Sequence, residues 1–214
     1  MTKDAKLRTF ITADTDREDL VAQVYDTTYG IVKRNDTLVV LDDSIVRGTT
    51  LRTSILRILD RLGMKKVVIV SSAPQIRFPD CYGIDMSKMK DFIAFEAGVA
   101  LIRDTGRDAL LDEIYTACKD DEKKPRGEAK NQVVRLFEPF TDQQVSDKIA
   151  EILTPVGMKA EVQIIYQSVE GLHEACPDHK GDWYFTGNYP TPGGHRVANR
   201  SFINFMEKSD ARAY

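Results

Sequence analysis

The sequence predicts an α/β fold in which helices flank a parallel sheet, and two observations support this class. Two short runs rich in β-branched residues, residues 37–41 and 66–71, have the composition of strands. Between them, apolar residues recur at helical spacing and stop at Gly63, which is typical of a helix that ends in a glycine cap. A strand, a helix and a strand in this order form a βαβ unit with parallel strands. The first run has no polar alternation, so we expect it to be buried on both faces.

After the second strand, the residue pattern favours helices. Ser87 is placed to cap a helix over residues 89–95, and residues 110–115 carry apolar side chains on one helical face. Residues 119–130 are almost all charged and contain a proline and a glycine. We expect a solvated loop there, because charged segments with such helix breakers stay in water.

The C-terminal third predicts a further strand between two helices. Thr141 or Asp142 starts a helix with regularly spaced apolar residues, and Pro155 stops it. Residues 162–166 have the pattern of a strand, and Ser168 is placed to cap a short helix after it. This order agrees with the α/β class.

Composition excludes several classes of function. The chain has 214 residues, of which 30 are basic and 33 acidic, and its net charge of -3 rules out a generally basic nucleic-acid binder. It contains no apolar run of the roughly 20 residues needed to span a bilayer, and no apolar signal segment follows Met1. The three cysteines lack Cys-x-x-Cys spacing, so we expect reduced thiols in a cytoplasmic protein. No membrane or nucleic-acid partner is expected.

The segment that carries chemistry follows the first predicted strand. Residues 42–50 read Asp-Asp-Ser-Ile-Val-Arg-Gly-Thr-Thr, so the strand ends at two carboxylates and a glycine turn opens a helix. Ligands in open α/β sheets bind beyond the carboxyl ends of the strands. Helix N-termini bind phosphate, and Gly48 lets the backbone approach such a group closely. Carboxylates bind sugar hydroxyls or Mg²⁺. The segment therefore fits a ribose phosphate with Mg²⁺.

Two other interpretations of the acidic pair stay open. Phosphoacceptor and phosphatase domains also place two acids after a strand, where the acids hold Mg²⁺ for phosphoryl transfer. Such sites do not require a Gly-Thr-Thr turn that opens a helix. A purely structural interpretation takes Asp42 and Asp43 as loop acids that cap the helix.

The same string resembles the signature with which type I phosphoribosyltransferases bind phosphoribosyl pyrophosphate (PRPP). More specifically, the residues of this segment resemble those of the amidophosphoribosyltransferase family. Further resemblances to that family follow in order along the chain: Arg8-Thr9-Phe10-Ile11, Ser72-Ala73-Pro74, Arg77-Phe78-Pro79, residues 82–86, residues 168–172 and residues 185–190. The resemblance covers residues 7–105 and 145–192 of the chain.

The resemblance implies roles for the residues at matching positions. Asp42 and Asp43 would contact the ribose hydroxyls and the Mg²⁺ bound to PRPP, and Arg8 would be a catalytic residue at the edge of a closing loop. The residues from Ser44 to Thr50 would wrap the 5′-phosphate. The implied PRPP-binding residues are Asp42, Asp43, Ser44, Ile45, Val46, Arg47, Gly48, Thr49 and Thr50.

The family's reaction implies further partners. In it, ammonia released from glutamine replaces the pyrophosphate on ribose C1, which begins purine synthesis. A separate N-terminal glutaminase domain releases the ammonia with a cysteine nucleophile. The resemblance therefore implies PRPP, a glutaminase domain and purine-nucleotide feedback inhibitors as partners, Mg²⁺ as the cofactor, and a homo-oligomer at full length.

The sequence also departs from the family. It begins Met1-Thr2 without a cysteine nucleophile, and we find no strand and pyrophosphate-binding loop before Arg8. We therefore expect an N-terminally incomplete type I phosphoribosyltransferase fold, a piece of a longer protein that is inactive alone. Gly181 and Tyr184 stand where some relatives have cluster-binding cysteines, and Cys81 is one position away from another. No iron–sulfur cluster is expected.

The resemblance divides the chain into three parts. Residues 1–105 would be the C-terminal part of the phosphoribosyltransferase core with the PRPP loop, residues 106–141 an insertion with the charged loop, and residues 142–214 a helical C-terminal family region and tail. In this last part, residues 181–194 are rich in glycine, proline and aromatic residues and predict a structured loop. Residues 202–205 predict a last short helix.

Two other functions stay open. A regulatory PRPP-binding protein would keep the fold without the chemistry. Known proteins of that kind add a DNA-binding domain, and this sequence has neither a basic stripe nor a helix-turn-helix pattern. A non-catalytic interaction module would use the insertion and the tail to dock on a partner.

Overall fold

The computed structural model describes residues 2–3, 25–26, 30–83, 86–179 and 181–213. These residues form a pair of short antiparallel strands and a sheet of three parallel strands. The strands are β1 (Thr2–Lys3), β2 (Tyr25–Asp26), β3 (Thr37–Asp42), β4 (Lys66–Ser71) and β5 (Glu161–Tyr166). The parallel sheet has the order β3-β4-β5, which confirms the predicted βαβ unit and the α/β class.

Helices make up much of the rest of the described chain. They are α1 (Leu56–Asp60), α2 (Ile93–Asp104), α3 (Ala109–Glu122), α4 (Asp142–Leu153), α5 (Val169–Ala175), α6 (Trp183–Thr186) and α7 (Pro192–Met206). A π-helical turn, Leu51–Ile55, leads into α1, and 3-10 turns lie at Met89–Asp91, Arg126–Glu128 and Val133–Leu136. Helix α4 packs against both α2 and β5.

Two helices begin where local sequence signals predicted. At the start of α4, the N–H of Gln144 donates to Thr141 Oγ1, and Gln144 Oε1 accepts from the N–H of Thr141 at 2.8 Å. At the start of α5, Ser168 Oγ accepts from the N–H of Gly171 at 2.9 Å. Each cap satisfies an N–H group that the helix itself leaves without a partner.

Strand β3 is an edge strand with one exposed face, so the prediction that it is buried on both faces is wrong for the described part of the chain. The Val39 side chain is 57% exposed and that of Leu41 is 79% exposed. The alternate residues Leu38 and Val40 pack against the core. Successive side chains of a strand point to opposite faces, and only one face of β3 has described neighbours.

The helix expected to start at Ser87 starts later, at Ile93, and its cap position, Phe92, has no side-chain cap. Ser87 is buried, and its carbonyl accepts a 3.1 Å hydrogen bond from Ser201 Oγ. Ser201 Oγ also accepts a hydrogen bond from the N–H of Met89 at 2.8 Å. Contact with α7 thus holds the start of this segment outside the α-helix, which local sequence does not reveal.

The charged run at residues 119–130 is not a solvated loop throughout. Helix α3 continues through it to Glu122, and the Asp121 side chain is fully buried. Asp121 Oδ2 accepts from the N–H of Lys130 at 3.0 Å and from Asn199 Nδ2 at 3.2 Å. One buried carboxylate therefore ties the end of the charged run to α7.

The last helix is longer than predicted. Residues 202–205 were expected to form a short helix, but α7 spans Pro192–Met206. Thr191 caps it through the N–H of Gly194, and Pro192 occupies its first turn. A threonine followed by proline is a helix-start signal that the surrounding glycines concealed.

Residues 106–141 contribute to the common core, so they are a packed part of the fold. Their boundaries as a separate unit stay a prediction. The side chains that this segment contributes to the main hydrophobic core are Leu111, Ile114, Cys118, Val133, Leu136 and Phe137. Across the described ranges, no helix combines the length and the apolar character needed to cross a membrane.

Candidate functional site

Asp42 and Asp43 lie at the carboxyl end of β3, where the chain leaves the sheet. Asp42 is half-buried, and its Oδ1 accepts a 3.1 Å hydrogen bond from the N–H of Asp43. Asp43 is exposed, and its Oδ1 accepts from the N–H of Ser44 at 2.9 Å. Neither carboxylate caps the following helix, because the cap residue Thr50 has no side-chain cap. The interpretation of this pair as helix caps is therefore wrong.

The segment after β4 supports the backbone of the acidic pair. The N–H of Ser72 donates to the Asp42 carbonyl at 3.0 Å, and the N–H of Ala73 donates to the Asp43 carbonyl at 3.0 Å. Ser72 Oγ adds a 3.1 Å hydrogen bond to the Asp43 carbonyl. These hydrogen bonds engage the main-chain carbonyls of Asp42 and Asp43, so the two side-chain carboxylates take no part in them. Ser72 and Ala73 belong to a segment that the resemblance picked out, but no role for them was predicted.

The electrostatics of the pair favour a positive or hydrogen-bond-donating ligand. Burial raises the pKa of Asp42 above its ordinary value of 3.8. The hydrogen bond with the Asp43 carboxyl and the charge of that carboxyl raise this pKa further, while the N–H of Asp43 lowers it. A cation or a diol placed between the two groups relieves this unfavourable arrangement.

Ile45 and Val46 anchor the loop to the core. The Ile45 side chain is 3% exposed and belongs to the main hydrophobic core. The carbonyl of Val46 accepts a 2.8 Å hydrogen bond from the N–H of Ile93, the first residue of α2. The Ile45 side chain is thus committed to packing, so only its backbone is available to a ligand.

Gly48 is required by the packing of the loop. Its φ of +68° lies in the left-handed region, and a Cβ at this position would be 2.6 Å from Leu153 Cδ2. Any side chain there would meet both backbone strain and a clash with the end of α4. From the sequence, Gly48 was expected to let the backbone approach a phosphate closely. The contact with Leu153 is a second reason for glycine at this position, and it applies with no ligand bound.

Thr49 and Thr50 lie where the helical segment begins. Thr49 is exposed and Thr50 is half-buried. The N–H of Arg52 donates to the Gly48 carbonyl at 3.0 Å, and Thr53 Oγ1 donates to the Thr49 carbonyl at 2.9 Å. The first N–H groups of a helix have no partner within it and attract anions. The loop therefore brings hydroxyls and a helix start to the same edge as the two carboxylates.

Arg47 and Arg8 are the two arginines of the predicted site. Arg47 is half-buried in the loop between Val46 and Gly48. Arg8 lies outside the described residues, so its role stays a prediction.

Two segments that carried the resemblance are far apart in sequence and pack together. The N–H groups of Arg77 and Phe78 donate to the Tyr184 carbonyl at 2.8 and 3.0 Å. Tyr184 Oη donates to Asp80 Oδ1 at 2.8 Å, and Tyr189 Oη donates to the Pro79 carbonyl at 2.6 Å. The aromatic residues near position 185 therefore pack within the fold.

Tyr166 is a residue of this edge that sequence reasoning did not single out as functional. The strand register places Asp42 beside Ser71 and Ser71 beside Tyr166, so the three lie in one row at the end of the sheet. No motif signals this position, because it depends on the pairing of β5 with β4.

The donor set at the site fits a metal ion brought by a substrate. Among the described residues, no group of three or more His, Cys, Asp or Glu side chains is arranged to hold a metal ion. Asp42 and Asp43 supply two hard oxygen-donor side chains. Mg²⁺ commonly binds one or two protein carboxylates and takes its other ligands from water and substrate phosphates. The pair fits that mode.

A parallel sheet flanked by helices, with two carboxylates at its carboxyl edge followed by a glycine turn and a helix, is the arrangement of a phosphoribosyltransferase-type domain. No protein-family model matches the chain.

Among curated proteins, the similar sequences include several amidophosphoribosyltransferases, and the chain matches a segment of the C-terminal part of that enzyme. The Escherichia coli enzyme is 44% identical over 79 residues, covering 36% of this chain and 15% of the relative. The Schizosaccharomyces pombe enzyme is 37% identical over 90 residues, covering 40% and 17%. The Saccharomyces cerevisiae enzyme is 33% identical over 158 residues, covering 72% of this chain and 20% of the relative. The resemblance stated from the motifs is therefore confirmed.

The chain spans only about a fifth or less of the length of these relatives. The activity, substrates and partners of the complete relatives are therefore proposals for this chain.

Proposed function

We propose that this chain is the PRPP-binding part of an amidophosphoribosyltransferase and that the loop at residues 42–50 holds the substrate. The observation that carries this proposal is the single edge that unites two exposed or half-buried carboxylates with a helix start. Similarity to amidophosphoribosyltransferases supports it independently.

The loop binds PRPP through two kinds of group. The N–H groups at the start of the helical segment, with the hydroxyls of Ser44, Thr49 and Thr50, receive the 5′-phosphate. The carboxylates of Asp42 and Asp43 accept hydrogen bonds from the ribose hydroxyls. Because the backbone of this pair is bonded to Ser72 and Ala73, the carboxylates are oriented before the ligand arrives.

The carboxylates also act on the reaction itself. As the bond between ribose C1 and pyrophosphate breaks, positive charge develops on the sugar ring. Fixed negative charge from Asp42 and Asp43 stabilises that charge in the transition state more than in the ground state. Mg²⁺, when bound with the substrate at these two residues, supplies compensation for the charge on the leaving pyrophosphate.

The complete activity requires parts beyond the described site. We propose that ammonia comes from a glutaminase domain of the whole protein, that Arg8 contributes to catalysis from a closing loop, and that this chain alone is inactive. The whole protein is proposed to be a cytoplasmic homo-oligomer with feedback sites for purine nucleotides. Gly181, Tyr184 and the offset of Cys81 support the proposal that it holds no iron–sulfur cluster.

Calorimetric titration tests the binding function directly. The chain is titrated with PRPP at fixed Mg²⁺, beside a double variant, Asp42→Asn and Asp43→Asn, which keeps the size of both side chains. We expect the wild-type chain to bind and the double variant to lose at least tenfold in affinity, since it lacks both negative charges. As a matched control, Asp36→Asn replaces an acid before β3, outside the loop, and should bind as the wild type does. Equal affinity in all three proteins would contradict the proposal.

Two other functions remain as alternatives with distinct outcomes. A regulatory protein would bind PRPP at the same loop and would also bind DNA in a salt-dependent manner. An interaction module would capture a protein partner without binding PRPP. No described feature favours either of them over the proposed function.

A further inference from the structure

The Tyr166 hydroxyl is enclosed without a hydrogen-bond partner. Its oxygen has less than 1 Å² of exposed area and bonds to none of the described residues. An unsatisfied buried polar group costs about 1–3 kcal/mol, so such groups are rarely retained without a reason. Phenylalanine would fill nearly the same volume without that cost.

The position of Tyr166 connects it to the acidic pair. In the register of the sheet, Ser71 is the one residue between Asp42 and Tyr166, and parallel partners point to the same face. Ser71 is short, and its Oγ turns away to donate to the Ala73 carbonyl at 2.8 Å. The Asp42 carboxylate acts electrostatically on Tyr166, since its charge adds to burial in raising the pKa of the phenol above 10.0. The phenol therefore stays protonated and keeps a proton to donate.

Tyr166 also has space beside it. Tyr166 lines a cavity of about 140 Å³, together with Gln75, Arg77 and Phe185. Two polar groups of that wall are engaged with each other or with Ser146: Arg77 donates to Gln75 Oε1 at 2.6 Å, and Gln75 Nε2 donates to Ser146 Oγ at 2.8 Å. The Tyr166 hydroxyl has no partner among the described residues, and Asp42 is the carboxylate in its own row.

We propose that Tyr166 is a positioning residue for Asp42, whose carboxylate receives a hydrogen bond from the Tyr166 hydroxyl when it engages Mg²⁺ and the ribose of PRPP. This inference rests on the function proposed above. In the free protein, Asp42 Oδ1 accepts from the N–H of Asp43, and the Tyr166 hydroxyl has no partner among the described residues. Carboxylates that bind metal ions commonly receive such an outer hydrogen bond, and its loss costs 10- to 100-fold in metal affinity.

The substitution Tyr166→Phe separates this role from a structural one. It removes only the hydroxyl, so we expect a melting temperature equal to or above that of the wild-type chain. We expect the Mg²⁺ concentration that gives half-maximal PRPP binding to rise roughly tenfold, with binding restored at saturating Mg²⁺. A structural role would not move the Mg²⁺ dependence while leaving the fold intact. Tyr189→Phe is the matched control, because its hydroxyl bonds the Pro79 carbonyl. It should lower the melting temperature and leave the Mg²⁺ dependence unchanged.

Each outcome decides the inference. An unchanged Mg²⁺ dependence in Tyr166→Phe overturns it, and so does a loss of binding that accompanies a loss of stability. If neither the wild-type chain nor the variant with Asn at positions 42 and 43 binds PRPP, or if both bind equally, the proposed function fails and this inference fails with it. If the wild-type chain binds, the Asn variant does not, and Tyr166→Phe behaves as wild type, only the role of Tyr166 is lost.

Discussion

The side chain of Leu153, the last residue of α4, occupies the space where a Cβ on Gly48 would stand. The 2.6 Å separation from Leu153 Cδ2 joins the candidate substrate loop to a helix more than 100 positions away in sequence. Loop conformation and helix packing are therefore parts of one arrangement. A change in either is transmitted to the residues that follow Asp42 and Asp43.

We expect Gly48→Ala to lower the free energy of unfolding by about 1–3 kcal/mol, because alanine meets both the left-handed φ and the Leu153 side chain. Denaturant unfolding measures the change. Gly127→Ala is the matched control, since a Cβ at Gly127 meets no atom within 4 Å. If the two substitutions have the same effect, the packing of Gly48 against Leu153 is wrong.

The contact between the two segments around Pro79 and Tyr189 predicts a second stability change. Tyr189 is 6% exposed, and its hydroxyl donates to the Pro79 carbonyl at 2.6 Å. Tyr189→Phe leaves that carbonyl without its partner, so we expect a loss of about 1–2 kcal/mol. For a chain of this size, that loss lowers the melting temperature by about 2–8 °C. Tyr82→Phe serves as the comparison, because Tyr82 is 62% exposed. A melting temperature for Tyr189→Phe that matches Tyr82→Phe would contradict the assignment.

Substitution of Asp121, although it lies in a charged run, should lower the stability of the fold strongly. Its buried carboxylate accepts from the N–H of Lys130 and from Asn199 Nδ2, and it pairs with Lys124 Nζ at 3.0 Å. Asp121→Ala removes the buried acceptor of the Asn199 amide and of the Lys130 N–H, so we expect about 2–4 kcal/mol of destabilisation in chemical unfolding. The neighbouring Asp120 is exposed and pairs with Lys123. Asp120→Ala should change stability little, and an equal effect of both substitutions would refute the buried role of Asp121.

The three cysteines should differ in reactivity in the folded chain. Burial, together with the negative charges of nearby Asp121 and Glu122, raises the pKa of the Cys118 thiol from 9.0 to about 12. Cys176 is exposed and Cys81 is half-buried. Since the thiolate is the reactive form, we expect alkylation of Cys176 first and of Cys118 only on unfolding. Mass spectrometry of alkylated peptides measures each rate, and native labelling of Cys118 as fast as Cys176 would contradict this.

The same thiol predicts a dependence of stability on pH. The folded state holds the Cys118 proton more tightly than the unfolded state does, so the unfolded state loses its proton first as pH rises. The stabilising contribution is therefore complete below about pH 9 and is lost progressively towards about pH 12. Unfolding free energies measured across this range should fall less steeply in Cys118→Ala than in the wild-type chain. Identical slopes would rule out this contribution.

Local signals in the sequence were enough to predict the three strands of the parallel sheet, the βαβ order and two helix starts. Residues 37–41 and 66–71 were predicted as strands and are strands, because runs rich in β-branched residues favour extended backbone locally. The capping box at Thr141 is complete within four residues, so no distant contact was needed to predict it. The position of Asp42 and Asp43 at the carboxyl edge followed directly from the strand that precedes them.

Tertiary structure alone decided which faces of these strands and helices are buried. It also decided which residues lie together at the carboxyl edge of the parallel sheet. Asp121 is buried because Asn199 and Lys130 reach it, and Ser87 caps no helix because Ser201 holds the backbone beside it. Tyr166 joins the row of Asp42 through strand pairing over more than 100 positions. Sequence periodicity reports the neighbours of a residue along the chain. The order of strands and the contacts between distant segments depend on the packing of the whole core, which no local window contains.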